Sequence, residues 1–200
     1  MMHPYHKPVI KFFLITGFYF LLTVSLAAQK TYYISAKGDD TNNGTSQQAA
    51  WKTLQKVNAT NFKPGDKILF EANAVFEGTL AINNSGTQQQ PILFGVYGNG
   101  KAIINAATTD GIKGFNVSNI YITGFVVKGN GVATNNGNGI HFYSDDTLSN
   151  PGNITIDNCD VSGFHNQGIA VGCGENENIK GYKNIRILHC NAFENGQAGI

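Results

Sequence analysis

The side chains best suited to chemistry gather between positions 141 and 186. His141 and Tyr143 flank one apolar residue, so in a strand they share a face. Asp145-Asp146 follows directly, and a second acidic pair, Glu175 and Glu177, comes about 30 residues later. Lys180, Lys183 and Arg186 add basic groups just beyond it. An aromatic ring beside polar groups suits a sugar, which offers an apolar ring face and a rim of hydroxyls. Clustered carboxylates are hard oxygen ligands of the kind Ca²⁺ takes. A cation held by Asp145, Asp146, Glu175 and Glu177 would neutralise an acidic sugar's carboxylate. A base (Lys180, Lys183, Arg186 or His141) would then remove the neighbouring proton. Glycoside hydrolysis instead needs two carboxyls roughly 5–10 Å apart, which Asp145 or Asp146 can offer with Glu175 across neighbouring strands. Each feature also has a plainer reading. Asp-Asp opening a loop is turn chemistry, the Glu-Asn-Glu-Asn run is a solvated face, and a lone His141 or His165 is ordinary surface. Nucleophile motifs, phosphate loops and zinc signatures are absent from the sequence.

The elements that must carry these residues are legible as repeats. Asn138-Gly139-Ile140, Gln167-Gly168-Ile169 and Ala198-Gly199-Ile200 recur about every 30 residues. A second motif, at 119–127, 153–161 and 184–192, precedes them with a similar period. Each copy reads as three short strands, in the clearest case 154–156, 159–161 and 168–171, joined by two turns and a variable insertion. Alternation sends Ile, Cys and Val one way and Thr, Asp and Ala the other. Three inward faces per coil make a filled triangular tube whose rungs stack in register. The register predicts Phe125, Cys159 and Cys190 over one another inside the tube, about 4.8 Å apart, beside a stack of Val127, Val161 and Ala192. Gly124, Asn158 and His189 fall at a tight bend where left-handed backbone is needed. Of the three cysteines, Cys159 and Cys190 are expected as core thiols rather than a bridge.

Composition agrees with short strands and many turns. There are 24 Gly, abundant Asn and only 14% charged residues, while 42% hydrophobic residues argue against disorder. A net charge of +1 without a basic stripe argues against a nucleic-acid binder. Residues 1–28 read as an export leader. Lys7 and Lys11 precede an apolar run at 12–26, and Ser25-Leu26-Ala27-Ala28 supplies the small residues of a cleavage site. The run falls short of the roughly 20 residues a membrane span needs, so cleavage near Gln29 is expected, leaving no span. A secreted, cell-surface or periplasmic location follows. Residues 29–66 then hold a strand at 32–35, a polar loop and a short amphipathic helix with Trp51, Leu54 and Val57 on its apolar face. That helix is the expected cap on the open end of a solenoid whose rungs run from 67 to 200.

The order of strand, Gly-Asp-Asp-Thr-Asn-Asn-Gly-Thr loop, Trp51-Lys52-Thr53-Leu54, Pro64-Gly65-Asp66-Lys67-Ile68 and Pro91-Ile92-Leu93-Phe94 resembles the N-terminal region of pectate-lyase-like β-helix proteins. The resemblance implies an all-β, right-handed parallel β-helix and an exported protein. Members include polysaccharide lyases, glycoside hydrolases, epimerases and non-catalytic carbohydrate-binding or surface proteins. It also implies substrate along one outer face, walled by the long insertions at 143–153 and 172–183. The chain stops inside a repeat, so a missing C-terminal region is expected to cover the open end. The leading expectation is a lyase on uronate-containing polysaccharide. A non-catalytic carbohydrate-binding module is the rival, and a structural stalk the third reading.

Overall fold

A computed structural model describes residues 1–2, 28–145, 151–175, 178–179 and 181–200. The expected leader therefore lies almost wholly outside the described residues. After β1 (Thr31–Ile34) and α1 (Leu54–Asn58) come the rungs. The first is β2 (Lys67–Glu71), β3 (Val75–Glu77) and β4 (Leu80–Ile82). The second is β5 (Ile92–Tyr97), β6 (Ala102–Ala107) and β7 (Ile112–Phe115), and the third β8 (Ile120–Thr123), β9 (Phe125–Gly129) and β10 (Ile140–Ser144). Next are β11 (Gly152–Asp157), β12 (Asp160–Ser162) and β13 (Ile169–Cys173), then β14 (Lys183–Leu188) and β15 (Asn191–Phe193). Among the described residues these strands form three sheets. The first is ordered β1-β2-β5-β8-β11-β14, the second β3-β6-β9-β12-β15 and the third β4-β7-β10-β13. All pairings are parallel. This is the right-handed parallel β-helix that the repeats lead one to expect.

Period-2 alternation fills the tube. Phe94, Ile122 and Ile156 stack in the first sheet, Ile104, Val127 and Val161 in the second, and Ile112, Ile140 and Ile169 in the third, all buried. The pairings of Asp160 with Val126 and Asn191 put Phe125, Cys159 and Cys190 over one another. The cysteines are free, Cys159 buried and Cys190 half-buried against the core, while Cys173 is exposed. The neighbouring Cys190 thiol, together with burial, pushes the Cys159 thiol up.

Each first-sheet strand from β8 onward is bounded by left-handed residues. Gly124 (φ 83°), Asn158 (φ 52°) and His189 (φ 50°) make the bend into the second sheet. Asn119 (φ 58°), Asn153 (φ 56°) and Asn184 (φ 55°) open the strands. Their amides form a ladder, Asn184 Nδ2 donating to Asn153 Oδ1 (3.0 Å) and Asn153 Nδ2 to Asn119 Oδ1 (2.8 Å). Asparagine tolerates this backbone and satisfies buried-side polar groups at the same position.

The cap differs from expectation at its start. Trp51 is not on the helix. It bridges Ile34, stacks on Tyr32 at 4.9 Å and donates its indole N–H to the Asn42 carbonyl at 2.8 Å. Asp40 Oδ1 accepts from the Lys52 and Thr53 N–H groups (2.8 and 3.0 Å), holding this stretch extended. Thr53 then caps α1, its side chain accepting from Lys56 N–H. Leu54 and Val57 are buried in the core. Asn58 covers the free edge of β4, donating to Thr79 O (2.9 Å) and accepting from Ala81 N–H (2.9 Å). Among the described residues no helix is long and apolar enough to cross a membrane.

Candidate active face

The outer face of the third sheet is built by the residues alternating with the core. Ile140 and Phe142 point in, so His141 and Tyr143 point out. On β7 the outward residues are Lys113 and Phe115, which pair with His141 and Tyr143. That register stacks Phe115 on Tyr143, centroids 6.0 Å apart and planes 12° apart. Phe115 is 56% exposed, an unusual position for a phenylalanine that contributes nothing to the core. Ala81, Ile82 and Asn83 of the neighbouring rung complete a shallow pocket with these four side chains.

His141 sits edge-on to Tyr143, centroids 6.0 Å apart. Burial lowers its pKa below 6.5, Lys113 adding to the effect and Asp110 opposing it, so the ring is neutral at pH 7. Its Nδ1 lies 3.4 Å from Asn138 Nδ2. With the amide donating, the ring proton belongs on Nε2, free for an acceptor outside the protein. Lys113 Nζ is 3.7 Å from Asp110 Oδ2, an exposed pair worth little to stability.

Asp145 follows β10 and is clasped by Asn116, which donates to Asp145 Oδ1 (2.9 Å) and accepts from its N–H (3.1 Å). Glu175 follows β13 and is exposed. The Gly174 N–H donates to Ser144 O at 2.9 Å. Glu175 therefore lies one rung over and one residue beyond Asp145, roughly 6 Å between backbones. A Cβ on Gly174 would stand 3.1 Å from the Tyr143 hydroxyl, so the residue in register with Asp145 on the next rung borders the aromatic pair.

The structure brings together His141, Tyr143 and Asp145, with Glu175 following the next strand of the same sheet. It separates Lys183 and Arg186 from them. Arg186 pairs with Thr155 in the first sheet, and Lys183 begins the same strand opposite Gly152. Lys183 and Arg186, expected to offer a base beside the acidic residues, therefore lie on another sheet. β13 belongs to the third sheet and β14 to the first, so Arg186 lies on a different side of the tube. Asp146, Glu177 and Lys180 lie outside the described residues. Among the described residues no three His, Cys, Asp or Glu side chains gather as a cation would require. Asp145 and Glu175 alone do not supply the oxygen ligands a calcium centre takes. His165 lies off this face, its Nδ1 2.8 Å from Val132 O.

Lys113, Phe115 and Asn116 were missed in the sequence. Their rung carries the Gly-Ile pair as Asp110-Gly111-Ile112, with an acid where the later copies have Asn, Gln or Ala. Aligning Gly111-Ile112 with Gly139-Ile140 would have found them.

No family model matches the chain. A stretch of 92 residues is 42% identical to a lacto-N-biosidase of Bifidobacterium longum subsp. longum, covering 42% of this chain and 6% of that protein. Among solved structures, a GH136 lacto-N-biosidase from Eubacterium ramulus superimposes with TM-score 0.68 at 22% identity, over 80% of this chain and 34% of that one. Pectate lyase Pel9A superimposes with TM-score 0.63 at 19% identity, over 86% of this chain and 41% of that one. The chain thus spans a small part of the curated relative and about a third of the first of these structures. At these identities the structural likeness establishes the parallel β-helix fold.

Proposed function

We propose that the chain is the substrate-binding part of an exported, carbohydrate-active β-helix protein that hydrolyses a glycosidic bond on its third-sheet face. The observation that carries this reading is the exposed, parallel Phe115–Tyr143 stack with a neutral His141 beside it. An exposed aromatic ring beside polar groups suits a sugar's apolar ring face, and the His141 Nε2–H is a donor for its hydroxyls. Asp145 and Glu175, which follow adjacent strands of this sheet, are the carboxyl pair assigned to such a reaction. The 42% identical stretch in a lacto-N-biosidase supports hydrolysis, and the leader-like residues 1–28 support export.

Elimination on a uronate is the second reading, favoured by Lys113, a basic group beside His141 on the same face. One experiment separates them. The full chain is incubated with a lacto-N-biose-terminated oligosaccharide and with pectate and alginate, with and without chelator. Reducing ends and the ultraviolet absorbance of unsaturated products are followed. New reducing ends without absorbance, lost in Asp145→Asn and Glu175→Gln, support hydrolysis. Absorbance from a uronate substrate replaces it with the lyase reading. Binding that Tyr143→Ala weakens about ten-fold, without product, leaves a non-catalytic carbohydrate-binding module.

A further inference from the structure

A second cleft, of about 500 Å³, lies on the outer side of the first sheet. Gln88 and Pro91 form one wall, and its floor carries the outward residues of three adjacent strands, Tyr121, Thr155 and Arg186. The pairings Tyr121 with Thr155 and Thr155 with Arg186 set these in one row across the strands. Asn119, Asn153 and Asn184 edge the row with the amide ladder.

The floor is held in place by a chain of hydrogen bonds across three rungs. His189 Nδ1 lies 2.8 Å from Asp157 Oδ1, and the Tyr121 hydroxyl donates to Asp157 Oδ2 at 2.9 Å. Both hydrogen bonds lower the Asp157 pKa, so the carboxylate is charged and both its oxygens are engaged. Tyr121 is thereby fixed with its ring on the floor. Arg186, by contrast, is exposed and has no carboxylate partner among the described residues. A guanidinium without an acid, beside an oriented aromatic ring and a line of amides, combines what an acidic sugar requires. The ring covers the apolar face, the amides meet hydroxyls, and the planar fork takes the carboxylate in two parallel hydrogen bonds.

We infer that this first-sheet cleft is a binding site for a uronate-bearing oligosaccharide, with Arg186 holding the sugar carboxylate and Tyr121 its ring. The site lies on a different side of the tube from Phe115 and Tyr143, and it stands independently of the chemistry proposed there.

Calorimetric titration of the full chain with trigalacturonate and with its fully methyl-esterified form tests this. The acid is expected to bind about ten-fold more tightly than the ester, a preference that shrinks with added salt. Arg186→Gln should erase the preference, and Arg186→Lys should keep part of it. Tyr121→Ala should weaken both ligands, whereas Tyr143→Ala should leave the preference unchanged. Circular dichroism verifies the fold of each variant. Equal affinity for acid and ester, binding of neither, or a preference retained in Arg186→Gln overturns the proposal. Loss of acid binding in Tyr143→Ala also overturns it, by assigning the ligand to the third sheet.

Discussion

At the scale of single residues, His141 is where electrostatics bear most directly on function. Burial pushes its pKa below the ordinary 6.5, Lys113 pushes the same way and Asp110 resists. A proton NMR titration should therefore give a midpoint below 6.5, lower still in Asp110→Asn and higher in Lys113→Gln. The stability linkage has a definite sign. The unfolded imidazole takes a proton before the folded one, so the folded state is fully favoured above pH 6.5. That contribution is lost as pH falls from 6.5 through the folded value. A chain whose stability is flat across this window, with His141 titrating normally, would contradict the buried neutral ring.

Among the elements, the corners and close contacts carry the constraints. Gly111, Gly139 and Gly168 precede the third-sheet strands, and each lies against the next rung. A Cβ on Gly139 would fall 2.1 Å from Val161 Cγ1 and 2.3 Å from Gly168 O. The Gly-Ile signature is thus a packing requirement: the backbone of one rung occupies the space of a side chain in its neighbour. Gly139→Ala should cost about 1–3 kcal/mol in denaturant unfolding. At Asn158, where φ is 52°, Gly should be tolerated. Val there should cost about 1–2 kcal/mol, the usual penalty for left-handed backbone.

For the whole molecule, stability depends on sealing the tube. Ile154 and Ile156 are wholly buried between rungs, whereas Ile185 and Ile187, stacked on them in β14, are half-buried. At the other end α1 provides the cover, Leu54 and Val57 entering the same core as Phe62 and Ile82. Leu54→Ala should destabilise the chain by about 2–5 kcal/mol, measured by urea unfolding. An unfolding midpoint unmoved by that change would mean the cap contributes nothing to the core.

The sequence by itself determined the β-helix, the stacks of Phe125, Cys159 and Cys190, the left-handed bend at Gly124, Asn158 and His189, and the outward pair His141 and Tyr143. These follow from short-range rules. Alternation decides which side of a strand a residue takes, and a repeat of constant register copies that decision from rung to rung. Only the tertiary structure decided which outward residues meet. Phe115 joins Tyr143 through pairing with an earlier rung, and Arg186 goes to the first sheet because the chain turns a corner between Cys173 and Lys183. Trp51 left the helix for the same kind of reason: Asp40, a dozen residues earlier, takes the backbone N–H groups that a helix would have begun with. Long-range hydrogen bonds and the direction of each corner are not encoded in local periodicity, so the sites they assemble became visible only in the folded chain.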